Sequence, residues 1–225
     1  MPHQSIWVSR LDTAFQAHAD PAIAMQMSAY MRNKFRFYGI KTPQRKAIVS
    51  SVWREYGVPQ PEDWPDLALT AFQREHAREM QYAVGDLLRP KSRQLNTDLL
   101  PLIEDLIQQC SWWDTVDWLA PKLAGRILLE NPDFIEPYPD KWIESSNHWL
   151  VRSAILFQLD HKAQLDTERL AFYCLRHQNS TEFFIQKAMG WILRTHSRRD
   201  PNWVSHFVRT HPLPKLTAKE ALKHI

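Results

Sequence analysis

Arg152-Ser-Ala-Ile-Leu-Phe-Gln-Leu159 and Gln186-Lys-Ala-Met-Gly-Trp-Ile-Leu193 share one pattern: a polar residue, then x-Ala-apolar-x-x-x-Leu. They stand 34 residues apart. Gln81-Tyr-Ala-Val-Gly-Asp-Leu-Leu88 carries the same pattern 71 residues before the first, about two periods, so a copy is expected near residues 116 or 117. Asp117 occupies that register, 36 residues after Gln81 and 35 before Arg152, although its own surroundings match the pattern poorly. Helix pairs repeating every 34–47 residues or so mark TPR, HEAT and armadillo stacks. No TPR consensus is legible, so the expected architecture is an all-α, HEAT-like α-solenoid: stacked antiparallel helix pairs with a concave groove. Equivalent positions in successive units project onto one surface. Gln81, Asp117, Arg152 and Gln186 are therefore expected to form a row.

Composition agrees with a helical protein. The 225 residues include 10 Trp but only 5 Gly, and the few β-branched runs do not alternate. Hydrophobic residues at 44% and charged residues at 24% suit a chain that buries a core in water. Helical period runs through nearly every segment. Starts are marked by Asp20-Pro21, Thr42-Pro43 and Pro61-Glu62, with proline at or near the first helical position. Helices are predicted at about 6–17, 21–35, 44–56, 63–73, 76–88, 97–109, 112–129, 132–144, 148–159, 167–176, 182–196, 201–209 and 217–225. Pro121 falls inside the seventh and must kink or split it. Connections are short, without a Gly/Ser linker, so residues 1–225 are read as a single HEAT-like repeat domain.

Within the seventh helix, Ser111-Trp-Trp-Asp-Thr-Val-Asp117 concentrates two indoles and two carboxylates in two turns. Ser111 with Asp114 three residues on reads as a capping box. Trp113 and Asp117, four apart, share a helix face. A carboxylate beside an indole offers negative charge next to a flat apolar surface. A plainer alternative is that Asp117 and Arg152 only form a salt bridge between repeats.

The formal net charge is only +3, but its distribution is uneven. Between Arg32 and Lys46 lie Arg32, Lys34, Arg36, Lys41, Arg45 and Lys46 with no acid, interleaved with Phe35, Phe37 and Tyr38. A second cluster comprises Arg194, Arg198, Arg199, Lys215, Lys219 and Lys223. Two separated basic clusters point to a phosphate backbone as partner. Cys110 and Cys174 are too few for a disulfide framework or a zinc site. The opening Met-Pro-His-Gln-Ser has no secretory character and no apolar run approaches 18 residues, so the expected setting is a reducing cytoplasm, away from membranes. No Gly-rich phosphate loop, His-Glu-x-x-His or Gly-x-Ser-x-Gly is present, so an enzyme built on this chain is expected to work without a metal or cofactor.

Three stretches resemble the AlkD-type alkylpurine DNA glycosylases: Ser111 to Asp117, Lys141-Trp-Ile143 with Asn147 to Leu159, and Glu182 to Arg194. Tyr30-Met-Arg-Asn33 and Gly39-Ile-Lys-Thr-Pro-Gln-Arg45 extend the likeness over almost the whole chain. The resemblance implies a HEAT-like stack that binds duplex DNA and excises N3- and N7-alkylated purines as a monomer, without drawing the base into a deep pocket. It places the catalytic carboxylate at Asp117, the active-site indoles at Trp113 and Trp191, and the active-site arginine at Arg152. It places groove contacts at Tyr30, Phe183, Phe184 and Gln186, and DNA-backbone contacts at Thr42 and Arg45; Lys46 and Arg194 join them from the basic clusters. Relatives continue slightly beyond Ile225, which leaves open whether the last helix is complete.

Two other readings compete. A HEAT-like protein-binding adaptor would have Asp117 neutralised by Arg152. A DNA-binding relative without activity would keep the site residues but release no base.

Overall fold

The computed structural model describes residues 5–225; the reading of the first four residues lies outside them. Every regular element among the described residues is helical. The chain divides into two compact units, Met1–Lys91 and Ser92–Ile225.

The first unit holds α1 (Ile6–Gln16), α2 (Pro21–Tyr30), α3 (Thr42–Tyr56), α4 (Trp64–Ala71) and α5 (Arg78–Leu88). Asp20 caps α2 by accepting from the Ala22 and Ile23 amides, with Pro21 at the first position. This helix ends at Tyr30, earlier than the sequence pattern suggests, because Arg32 and Asn33 take left-handed backbone conformations (φ 57° and 55°). Val8, Leu11, Phe15, Ile40, Trp64, Leu67 and Met80 make the core of this unit. Glu79 is buried with them, and its carboxylate accepts from the amides of Tyr38, Gly39 and Ile40 at 3.1, 3.0 and 3.1 Å. Those three bonds fix the course of the basic Lys34–Lys41 connection. The Arg78 guanidinium lies 3.9 Å from the centre of the Phe35 ring in the same connection.

The second unit holds α6 (Leu100–Gln108), α7 (Trp113–Trp118), α8 (Gly125–Glu130), α9 (His148–Leu156), α10 (Thr167–Arg176), α11 (Phe183–Ser197), α12 (Pro201–Thr210) and α13 (Lys215–Ala221). Helix α9 packs against α6, α7 and α11, and α11 packs against α12 and α13. Leu119, Trp142, Leu156, Phe157 and Met189 are among the side chains sealed inside.

Between α7 and α8 the chain widens into a π-helical turn, Leu119–Ala124, around Pro121. In a regular α-helix the proline ring would strike the carbonyl four residues back, which belongs to Asp117. The wider turn relieves that clash, and such bulges recur at functional positions. Gly125 follows, where a Cβ would meet the Phe157 carbonyl oxygen at 2.0 Å, so α8 closes on the end of α9 only with glycine there.

Two local expectations are overturned. Ser111 is not a helix cap: its hydroxyl donates back to the Ile107 carbonyl at 2.6 Å, and α7 starts after Trp112, whose backbone is extended. Residues 132–144 are not one helix either. Pro132–Phe134 is a 3₁₀ turn and Glu136–Asp140 a π-helical one, because Pro137 and Pro139 both lack the amide that an α-helix needs.

Candidate active site

The site lies wholly within the second unit. Helix α7 presents Trp113 and Asp117 from one face, as their spacing of four requires. The neighbouring Trp112 goes the other way, into the core, where its ring lies 5.6 Å from that of Trp149 and 5.0 Å from that of Phe184. That aromatic cluster ties the start of α7 to α9 and to the first turn of α11.

Arg152 reaches Asp117 from the middle of α9. Its Nε donates to Oδ1 at 2.8 Å and its Nη2 to Oδ2 at 2.9 Å, a bidentate pair. Its Nη1 donates to the Phe184 carbonyl at 2.6 Å, so one guanidinium joins α7, α9 and α11. The arginine keeps 5% of its side-chain exposure and the aspartate 19%, so the carboxylate is the partner that reaches open space. Burial pushes the Asp117 carboxyl above the ordinary carboxylate range, against the pull of the Arg152 guanidinium. Asp114 adds a smaller push in the same direction.

A cavity of about 330 Å³ opens over this pair. Trp113, Phe183, Phe184 and Trp191 supply aromatic walls, and Asp117, Arg152, Lys187, Arg194 and Glu220 supply charge. Phe184, Lys187, Trp191 and Arg194 follow one another at intervals of three, four and three along α11, a single stripe. That volume is at the low end of small-molecule sites, which run from about 300 to 1,000 Å³.

The sequence-derived residues separate into two groups. Trp113, Asp117, Arg152, Phe183, Phe184, Trp191 and Arg194 meet around the one cavity, in the second unit. Gln186 does not line it: its side-chain amide donates to the Ser180 carbonyl at 2.8 Å, which removes it from the expected row. Gln81 lies buried in the first unit, bonded to Arg78. Tyr30, Thr42, Arg45 and Lys46 also belong to the first unit. Tyr30 is 72% exposed, and Thr42 and Lys46 are exposed on α3. Arg45 is 5% exposed: it is held by Asp86 at 3.1 Å and faces the Tyr82 ring at 5.0 Å. Its environment is that of an internal ion pair.

Lys187 and Glu220 were missed. The spacing of Lys187 from Phe184 and Trp191 could have found it, whereas nothing near Glu220 in the chain announces its role. Among the described residues no cluster of three potential metal ligands exists, and no helix is long and apolar enough to cross a membrane.

No curated protein matches the chain. It is similar to a solved structure described as a "Predicted DNA alkylation repair enzyme from Enterococcus faecalis", with 28% identity and a TM-score of 0.82 over 92% of this chain and 96% of that one. The profile of the DNA alkylation repair enzyme family matches residues 11–225. With nearly its whole length accounted for in this way, the chain belongs to the DNA alkylation repair enzyme family.

Proposed function

We propose that the protein is a monofunctional DNA glycosylase that hydrolyses the N-glycosidic bond of cationic N3- and N7-alkylated purines in duplex DNA. One observation carries the reading. A carboxylate, Asp117, is fixed by two bonds from Arg152 and reaches into a cavity walled by Trp113 and Trp191.

An alkylated purine of this kind bears a formal positive charge, which weakens its bond to the sugar. As the C1′–N bond breaks, its electron pair goes to the purine nitrogen and neutralises the base. Positive charge appears instead on the deoxyribose as oxocarbenium character. Asp117 would stabilise that charge and orient the water whose oxygen bonds to C1′ and then loses a proton. The indole faces of Trp113 and Trp191 would attract the same cation, by about 0.5–2 kcal/mol each. The leaving base departs neutral, so no general acid and no cofactor is required. The aromatic walls would contact the lesion nucleotide at the surface of the duplex, without the deep pocket of a base-extruding enzyme.

The Asp117–Arg152 pair also favours a second reading, a non-catalytic HEAT-like relative that binds DNA or another protein and in which the pair is purely structural. Release of free base decides between them. Purified protein should liberate 3-methyladenine or 7-methylguanine from methylated duplex and leave uracil and hypoxanthine in place. Binding without release would support the inactive relative, and efficient removal of uracil would overturn the charge-based mechanism.

A further inference from the structure

Lys187 and Arg194 lie seven residues apart on α11, two turns, and both line the cavity. Glu220 bridges them from α13. Its Oε1 accepts from the Lys187 ammonium at 2.9 Å and its Oε2 from Arg194 Nη1 at 2.6 Å. Helix α13 comes this close because residue 190, between the two cations, is glycine: a Cβ there would stand 2.5 Å from the Glu220 Cβ and 3.1 Å from the Thr217 carbonyl oxygen. Thr217 secures the approach by donating its hydroxyl to the Gln186 carbonyl at 3.0 Å.

A bridging carboxylate in this place has two effects. It restrains two long side chains whose rotamer freedom would otherwise oppose an ordered geometry. It also cancels one of their two positive charges. Asp117 and Arg152 cancel each other, so three cations stand against two carboxylates and the cavity keeps one positive charge among its aromatic walls. The bonds to Glu220 engage one of the three ammonium donors of Lys187 and one of the five guanidinium donors of Arg194. Flat apolar walls with a single surplus cation suit a nucleotide unit carrying one negative charge.

We propose that Lys187 and Arg194 form a seat for one phosphodiester of the DNA strand beside the target nucleotide, and that Glu220 is the positioning residue that sets their spacing. The proposal rests on the reading of the cavity as the place where duplex DNA meets Asp117. An internal phosphodiester brings one negative charge, whereas a terminal phosphate brings close to two and places the second beside Glu220. The seat therefore prefers the internal group. The Lys187 ammonium, followed by Arg194, holds the Glu220 carboxyl below the ordinary carboxylate range, so the bridge persists at neutral pH.

The test uses duplexes with one 7-methylguanine and a single neutral methylphosphonate moved along the strand. Affinity is measured against salt, and base release is measured separately. In the unaltered protein, one methylphosphonate position next to the lesion should reduce the log–log salt slope by about 0.9, the contribution of one phosphate. The double variant K187M/R194M, which keeps both apolar stems, should have the smaller slope already and be indifferent to that position. E220Q, of nearly unchanged shape, should bind undamaged duplex more tightly yet lose the preference for one position. A nicked duplex with a terminal phosphate at that position should bind more weakly than the intact strand. No position that separates the unaltered protein from K187M/R194M would overturn the seat, and a full positional preference in E220Q would overturn the role of Glu220. Positional preference without base release would sustain the seat and overturn the glycosylase reading. Absence of duplex binding would overturn both.

Discussion

Arg152 and Asp117, 35 residues apart in the chain, are joined by two parallel hydrogen bonds of 2.8 and 2.9 Å, and the same guanidinium donates to the backbone of Phe184. The carboxylate thus has a fixed orientation. Arginine provides this better than lysine would, because its planar fork matches both carboxylate oxygens at once.

Replacing Asp117 by Asn preserves shape and removes charge. Base release from methylated duplex should fall by about 10²–10³, the usual cost of losing one electrostatic stabiliser of a transition state. Single-turnover rates should show the loss, with duplex affinity close to normal. Near-normal excision by a folded D117N protein would remove Asp117 from the chemistry.

Arg152→Met leaves the Asp117 carboxylate buried without its counter-ion, a change that costs about 3–5 kcal/mol when one partner of a buried pair is lost. Burial already raises the Asp117 carboxyl and Arg152 opposes the rise, so the variant should raise it further. Its acid limb of activity should move to higher pH. A carboxyl raised in the folded state contributes stability below its unfolded pKa and loses it as pH climbs, so R152M should unfold more readily at pH 8 than at pH 5. A pH series of base release and of thermal melts checks both directions.

Gly190→Ala adds a methyl group where α13 crosses α11, with the Thr217 backbone oxygen at 3.1 Å and the Glu220 Cβ at 2.5 Å. Overpacking of this kind costs about 1–3 kcal/mol. The melting temperature should drop, and the salt slope for duplex binding should change with it as Glu220 withdraws from Lys187 and Arg194. An unchanged slope in a destabilised protein would separate the helix packing from the charge bridge.

Glu79 serves three backbone amides of the Lys34–Lys41 connection, so Glu79→Ala should leave three donors unpaired and lower stability by at least about 3 kcal/mol. Glu79→Gln should cost less, since one oxygen remains to accept. Burial holds the Glu79 carboxyl above the ordinary range, against the pull of those amides. Its ionisation therefore opposes folding, and the associated stability is present at acid pH and is lost as pH rises. Urea titrations at several pH values should show that slope flatten in E79Q.

Lys41 and Lys46 are exposed, whereas Arg45 is enclosed by Asp86 and Tyr82. The double variant K41A/K46A should weaken undamaged and alkylated duplex alike and lower the salt slope by up to about 1.8, two phosphates' worth. R45A should act mainly on stability, because Asp86 loses one of its two arginine partners. A stable R45A protein with a reduced salt slope would reassign Arg45 to the DNA.

The sequence by itself determined the helices, and Asp117 with Trp113 as companions on one of them, because a helix face is set by neighbours three and four residues away. It also located the break at Pro121, since a proline ring conflicts with a carbonyl only four residues back. Periodicity misled where such local signals competed. Ser111 donates its hydroxyl back to the Ile107 carbonyl instead of accepting from the next turn, and the prolines at 137 and 139 denied an α-helix to a stretch of otherwise suitable pattern. Only the tertiary structure decided that Gln186 turns to Ser180 and that Arg45 turns inward. Only it brought Glu220 to Lys187 and Arg194, because that contact depends on two helices crossing at Gly190 and on no spacing within either of them.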